Sequence, residues 1–290
     1  MKVAIMTDSN SGITQKEAKE LGIFVLPMPF TIDGQEFEED INLSQEEFYD
    51  KLMNGAEVFT SQPAAGEVTN FFNNILKDYD QIVHIPMSSG LSGSCQTAMM
   101  LAEEEEYKNK VYVVDSQRIS VTQKYDVLDA LELAKQGKDA KEIHDILMEN
   151  KLNATIYITV NTLEYLKKGG RITPAAAALG GLLKIKPILT IQGEKLDSFQ
   201  KTRTMAKANK IMINATLEDI KTRIDPTHED MSGARIMIAY TYDKEQALEL
   251  KKQAEETFPH HEIICDPLSL SVACHIGPHS LAVAACKKII

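Results

Sequence analysis

Four serines and two glycines lie together in the segment MSSGLSGS, residues 87–94, directly after an apolar run. Hydroxyl groups and the free N–H groups at the start of a helix favour a small anion such as a carboxylate or a phosphate. A single hydroxyl is enough to cap a helix, so capping alone remains an alternative interpretation. This serine segment supplies four hydroxyls, and the pattern therefore favours anion binding by Ser88, Ser89, Ser92 and Ser94.

A second hydroxyl-rich segment, TSQPAAGEV, begins at Thr60. Thr60 and Ser61 precede a predicted helix that has Pro63 in its first turn, where proline is favoured. Ligands of an open parallel sheet bind beyond the carboxyl ends of its strands. We predict that both segments follow strands of one parallel sheet, so that their hydroxyl groups converge on the same ligand.

Arg171 follows the segment TLEYLKKGG, whose two glycines mark the end of a predicted helix. A guanidinium group can form two parallel hydrogen bonds with a carboxylate or a phosphate. An arginine exposed to solvent without a ligand is the alternative. Arg171 is therefore a candidate for binding the same anion.

Two aspartates, Asp8 and Asp115, each end a predicted strand, where catalytic carboxylates and ordinary turn residues are both found. Together with His275 they leave open a hydrolase or a phosphotransferase, although the sequence assigns no pair of base and nucleophile. The motifs of a P-loop, a dinucleotide-binding loop and a GxSxG nucleophile elbow are absent. His275 and His279 are separated by a Gly-Pro pair, which excludes the continuous helix of a paired zinc site. We therefore predict no metal site.

The elements that position these residues change character along the chain. Strand and helix patterns alternate up to about residue 150, with a predicted helix start at Thr14 and Glu17, and alternating αβ order indicates a mostly parallel sheet. From about Ala154 the patterns favour antiparallel pairing, with a hairpin about Gln192-Gly193 and an edge strand at Pro187. We predict an α/β protein of two domains. Residues 1–155 form a three-layer α/β/α domain with a mostly parallel sheet, and residues 156–290 an α/β domain with a mixed, largely antiparallel sheet.

Composition excludes several classes of protein. The net charge is −11, from 42 acidic and 31 basic residues, which disfavours nucleic-acid binding because phosphate contacts need a basic surface. No uninterrupted apolar run is long enough for a transmembrane helix, and the short apolar start is not expected to be a signal peptide. The four cysteines show no CxxC pair. We predict a cytoplasmic protein with reduced thiols.

Seven short segments, in this order along the chain, carry a family resemblance: TDSNSGI, TSQP, SSGLSGS, VVDS, LEYLKKGGRI, LLKIKPIL and HIGP. They extend from Thr7 to Pro278, and with them the sequence resembles the DegV family. Two positions depart from the family pattern, since Ala64 stands where serine is usual and His279 stands where glycine is common.

The resemblance implies a function in bacterial lipid metabolism rather than catalysis. A DegV protein is expected to hold a long-chain fatty acid between its two domains and to present the carboxylate to a separate ATP-dependent kinase, which makes an acyl phosphate for phospholipid synthesis. The fatty acid is then the ligand, no cofactor is expected, and the fatty acid kinase is the protein partner. Transient contact with a membrane surface and a lipid-responsive regulatory role are also compatible with such a carrier.

The resemblance also implies roles for individual residues. Thr60 and Ser92 correspond to the carboxylate contacts of the family. The same polar end is expected to include Ser61, Gly93, Arg171 and His275, and Arg203 resembles a basic position that faces the kinase. No catalytic residue is expected in this chain.

Overall fold

The computed structural model describes residues 1–39, 41–181 and 185–290, which form three β-sheets with helices packed around them. The first residues of the LLKIKPIL segment, Leu182, Leu183 and Lys184, lie outside the described residues. The strands of the first half are β1 (Val3–Asp8), β2 (Phe24–Leu26), β3 (Phe30–Ile32), β4 (Gln35–Phe37), β5 (Val58–Thr60), β6 (Gln81–Ile85) and β7 (Val111–Val113). The helices of this half are α1 (Gln15–Leu21), α2 (Gln45–Met53), α3 (Ala65–Ile75), α4 (Ser94–Ala102), α5 (Ser120–Lys135) and α6 (Ala140–Asn150).

The second half contains the remaining elements. Its strands are β8 (Ala154–Thr159), β9 (Lys186–Ile191), β10 (Asp197–Thr202), β11 (Ala234–Tyr240), β12 (Ile263–Pro267) and β13 (Leu281–Lys287). Its helices are α7 (Glu164–Gly169), α8 (Pro174–Ala177), α9 (Met205–Asp219), α10 (Lys244–Thr257) and α11 (Leu270–Ile276). Short helical turns occur at Ser9–Ser11, Ala178–Gly181 and Ile220–Ile224. None of the helices in the described ranges is both long enough and apolar enough to cross a membrane.

The N-terminal sheet has the strand order β2-β1-β6-β7, and all of its pairs are parallel. Side chains alternate between its two faces, as in any strand. Ile5 packs with α1, α5 and α6 on one face, whereas Ala4 and Met6 pack with α3 and α4 on the other. The predicted three-layer α/β/α arrangement with a mostly parallel sheet is confirmed.

A small antiparallel sheet with the order β4-β3-β5 was not predicted. It arises because Pro27 and Pro29 divide one apolar run into two strands, since proline cannot donate to a sheet ladder. The prediction that Thr60 follows a strand of the parallel sheet is wrong, because Thr60 is the last residue of β5 and pairs with Phe30. Pro63 also lies outside the first turn of α3, whose N-cap is Ala64.

The C-terminal sheet has the order β10-β9-β8-β13-β11-β12, in which β11 and β12 are parallel and the other pairs antiparallel. The predicted mixed, largely antiparallel sheet is confirmed. Helices α9 and α10 cover one face, and the other face is turned toward the N-terminal half. The edge position predicted from Pro187 is wrong. Strand β9 lies inside the sheet, and Pro187 is tolerated there because the ladder with β8 begins at Ile188.

Helix α5 connects the two halves, because it packs against strands of both large sheets. Lys124 forms an ion pair of 2.9 Å with Asp266, and Arg235 forms two hydrogen bonds of 2.8 and 2.7 Å with Asp129. Asp129 is only 3% exposed, so this buried carboxylate depends on the paired charge of Arg235. The six-stranded sheet begins at Ala154 with β8, and the division at residues 155 and 156 stays a prediction.

Candidate functional site

A cavity of about 260 Å³ lies between the C-terminal sheet and the serine segment. It is much larger than the space of ~10–15 Å³ that one water molecule needs. Its wall is mostly apolar and draws on both halves of the chain: Met28, Met87, Leu91, Ile119, Val121, Ile156, Ile158, Leu166, Ile191, Leu196, Ala239, Leu268, Val272, Ile276 and Ala282. The polar lining consists of Asn10, Thr60, Ser61, Gln62, Ser92, Gly93, Ser120, Arg171, Ser271 and His275.

The six residues that the family resemblance implied for the carboxylate all line this cavity, and we call them the polar end: Thr60, Ser61, Ser92, Gly93, Arg171 and His275. They come from β5, the segment that follows it, the two residues before α4, the loop after α7 and helix α11. The structure therefore brings these residues to one cavity, although the elements that carry them differ from those expected.

His275 contacts Thr60 across the two halves of the chain, with 2.8 Å between Nε2 and Oγ1. Burial, together with the neighbouring charge of Arg171, lowers the pKa of His275 to about 4. The ring is therefore neutral near pH 7, and its Nδ1 has no hydrogen-bond partner among the described residues. When the ring proton is on Nε2, this N–H donates a hydrogen bond to Thr60 Oγ1. The Thr60 hydroxyl can then donate its own hydrogen bond to an anion.

Arg171 is held at the polar end by backbone carbonyls. Its Nε donates to Leu91 O at 3.2 Å and its Nη1 donates to Gly169 O at 2.5 Å. Gly170, with φ of 70°, ends helix α7 in the left-handed conformation and turns the chain toward this position. None of the described residues that line the cavity is acidic, so the charge of Arg171 is available to an anion.

Glycine at position 169 was not recognised from the sequence as part of the site. A Cβ atom at this position would lie 2.1 Å from His275 Nδ1, a distance that no carbon and nitrogen atoms adopt without a bond. In the sequence, Gly169 is part of a Gly-Gly pair after Lys168, and such a pair indicates an ordinary helix end. The structure therefore adds Gly169 as the residue that allows His275 to approach Thr60.

The serines of the serine segment have different roles. Ser89 donates to Asp115 Oδ2 at 2.6 Å, and Ser88 donates to the carbonyl oxygen of Gly193 in the C-terminal half. Ser92 and Ser94 share a hydrogen bond of 2.9 Å, and Ser92 is the only one of the four that lines the cavity. The redundancy of hydroxyls is thus explained mainly by loop structure, and Ser92 alone is placed to contact a ligand.

Asp8 and Asp115, two of the three residues proposed for catalysis, stabilise loops through hydrogen bonds. Asp8 accepts hydrogen bonds from the backbone N–H groups of Asn10 and Met87 at 3.0 and 2.9 Å, and its burial raises its pKa. Asp115 accepts from Ser89. Neither aspartate lines the cavity, whereas His275 does. No group of His, Cys, Asp or Glu side chains suited to a metal ion is found in the described ranges.

Four polar lining residues were missed as site residues: Asn10, Gln62, Ser120 and Ser271. Asn10 is buried, its Oδ1 accepts from Ser271 at 2.6 Å, and its Nδ2 has no partner among the described residues. Its place within the TDSNSGI motif was the available signal. Gln62 lies beside Gly93, where a Cβ atom would be 2.8 Å from the Gln62 Oε1. Arg203 is exposed just before α9 and does not line the cavity.

The sequence matches known proteins along nearly its whole length. Residues 2–288 match the family model described as an uncharacterised protein of the DegV family. A DegV domain-containing protein of Clostridium perfringens is 32% identical over 288 residues, with 97% of this chain and 96% of the relative covered. One of Staphylococcus aureus is 30% identical over 287 residues, with 99% of each chain covered.

Solved structures with the same fold include proteins that bind fatty acids. A DegV family protein from Thermus thermophilus, described by its fatty acid binding, has a TM-score of 0.89 and 27% identity, with 99% of this chain and 100% of that one covered. DegV of Bacillus subtilis, described as a fatty acid binding protein, has a TM-score of 0.86 and 27% identity with the same coverage.

Proposed function

The chain belongs to the DegV family, and on this premise we propose that it binds a long-chain fatty acid in the cavity between its two halves. The observation that carries the proposal is the division of that cavity into a polar end and an apolar remainder. A fatty acid has the same division, with one carboxylate at the end of an apolar tail.

Energetics favour this ligand over a small polar anion. Burial of each methylene group stabilises a complex by about 0.8 kcal/mol, so the tail supplies most of the binding free energy. An unpaired buried carboxylate would cost many kcal/mol, which hydrogen-bond donors and a nearby positive charge must offset. The polar end offers hydroxyl donors at Thr60 and Ser92 and the charge of Arg171.

Within this proposal each residue of the polar end has one task. Thr60 and Ser92 donate to the carboxylate, and Ser61 and Gly93 line the same space close to it. Arg171 balances its charge. His275 holds the Thr60 hydroxyl through the hydrogen bond of 2.8 Å and stays neutral, so that it does not compete for the anion.

We further propose that the chain is a carrier that presents the carboxylate to a separate ATP-dependent kinase. In that step a carboxylate oxygen forms a bond to the γ-phosphorus of ATP, and the bond to ADP breaks with its electron pair leaving on ADP. No residue of this chain is assigned a catalytic role. Arg203 is exposed at the surface and is the residue we assign to contact with the kinase.

The ligand is tested by analysing the protein purified from a bacterial host. Denaturing extraction followed by mass spectrometry should release about one fatty acid for each chain. Repeated preparations without lipid, and failure of the delipidated protein to bind palmitate, would contradict the proposal. Acyl phosphate formed from ATP without the partner kinase would contradict the assignment as a non-catalytic carrier.

A further inference from the structure

A second cavity of about 140 Å³ lies next to the first. Thr60, Arg171 and His275 line both cavities, which therefore meet at these three side chains. A carboxylate bound at these side chains has its tail in the first cavity. Any group attached to the far side of the carboxylate would then extend into the second.

The charged side chains that line the second cavity are cationic. Lys168 and Arg171 line it, and no acidic residue does so in the described part of the chain. The Lys168 ammonium lies 4.6 Å from the centre of the Phe59 ring and 3.5 Å from Glu57 Oε1, so that it stands at the rim of the cavity. The whole chain carries a net charge of −11, and the pairing of two cations at one small cavity is therefore a local feature.

We propose that the second cavity holds the phosphoryl group of an acyl phosphate, with Lys168 and Arg171 as its charged contacts. This inference rests on the proposed function. The product differs from the fatty acid by a phosphoryl group on one carboxylate oxygen, and Arg and Lys are the usual partners of phosphate oxygens. The first cavity explains how the substrate is held, and the second explains how the product stays bound to the carrier after phosphoryl transfer.

The test compares two ligands in a fluorescent-lipid displacement assay. One is palmitate, and the other is the non-hydrolysable β-ketophosphonate analogue of palmitoyl phosphate, in which a methylene replaces the bridging oxygen. The variants are Lys168→Gln and a matched control, Lys167→Gln, which changes the adjacent lysine of α7 that does not line either cavity. The measured quantity is the ratio of the two dissociation constants.

We expect Lys168→Gln to weaken binding of the ketophosphonate, relative to binding of palmitate, about three- to tenfold. This effect lies between that of an exposed ion pair and that of a buried charge-assisted hydrogen bond. Lys167→Gln should leave the ratio unchanged. Glu57→Gln, which removes the competing carboxylate, should shift the ratio in the opposite direction.

The outcomes separate this inference from the proposed function. If palmitate binds and Lys168→Gln changes the ratio no more than Lys167→Gln, the phosphoryl site is refuted and the carrier function stands. If palmitate itself does not bind, both are refuted. Inorganic phosphate should bind far more weakly than the ketophosphonate, because it lacks the tail that raises its local concentration. Equal affinity would show a site for free phosphate and overturn the assignment to the product.

Discussion

Replacement of Gly169 by alanine tests the geometry of the polar end directly. The added Cβ would lie 2.1 Å from His275 Nδ1, whereas ordinary contacts begin at 3.4 Å, so the imidazole ring must move by about 1.3 Å. A displacement of that size exceeds the range of ~0.5 Å over which hydrogen-bond distances vary, so we expect the contact of 2.8 Å between Thr60 and His275 to be disrupted. The variant therefore loses the bond that orients the Thr60 hydroxyl.

The expected cost has two parts. Loss of one hydrogen bond costs about 0.5–1.5 kcal/mol, and forcing extra volume into a packed region costs about 1–3 kcal/mol. We therefore expect Gly169→Ala to lower the free energy of unfolding by about 2–4 kcal/mol and to weaken palmitate binding. Urea unfolding followed by circular dichroism measures the first quantity, and fluorescent-lipid displacement measures the second.

Gly66→Ala is the matched control. Gly66 lies in helix α3 with nothing within 4 Å of an added Cβ, so alanine should leave stability unchanged or raise it by about 0.5–1 kcal/mol. If Gly169→Ala is as stable as the wild type within about 0.5 kcal/mol and binds palmitate equally well, the ring moves freely. The contact between His275 and Thr60 would then have no role in the site.

Three further predictions concern charge and the polar end. Thr60→Val and Ser92→Ala should each raise the dissociation constant for palmitate roughly ten- to a hundredfold, since hydrogen bonds to charged groups contribute about 1.5–3 kcal/mol; unchanged displacement curves would place the carboxylate elsewhere. The pKa of His275 falls on folding from 6.5 to about 4, so the unfolded chain binds the proton more readily and stability rises with pH across this interval. His275→Gln should therefore lose roughly 3 kcal/mol less than the wild type when pH falls from 7 to 4, and parallel stability profiles would refute the buried neutral ring. Arg235→Met should lower the free energy of unfolding by about 3–5 kcal/mol because it leaves Asp129 buried and unpaired, whereas Lys251→Met at the exposed Lys251–Glu255 pair should cost under 1 kcal/mol; similar urea midpoints would contradict the role of the buried pair.

Local signals predicted much of the fold. The helix start at Thr14 is confirmed with a complete capping box, in which Thr14 and Glu17 each satisfy a backbone N–H group of the other. The hairpin of β9 and β10 and the parallel first sheet follow from alternation and element order. The β3–β5 sheet was missed because each of its strands has three residues, too few to show a period of two.

The site was less predictable, because its contacts join residues that are distant in the chain. Thr60 and His275 are 215 residues apart, and no spacing rule brings them together. The family resemblance supplied the place of His275 beside the anion, whereas hydroxyl counting pointed equally to Ser88 and Ser89, which donate to Gly193 and Asp115 and do not line the cavity. The close approach at Gly169 depends on a side chain from another helix, so the local sequence carries no sign of it.

The free energy needed to separate the two halves of the chain differs between the region of α5 and the region of the β9–β10 turn. Near α5, separation of the halves would break the two hydrogen bonds between Arg235 and Asp129 and the ion pair between Lys124 and Asp266. On the side of the β9–β10 turn, the hydrogen bond that joins the hairpin to the serine segment among the described residues is the one from Ser88 to Gly193. Breaking a single neutral hydrogen bond costs about 1 kcal/mol, far less than exposing a buried ion pair. We therefore expect thermal opening to be easiest at the hairpin, beside Ile191 and Leu196 of the apolar wall, and under the proposed function an alkyl tail would enter and leave the cavity there.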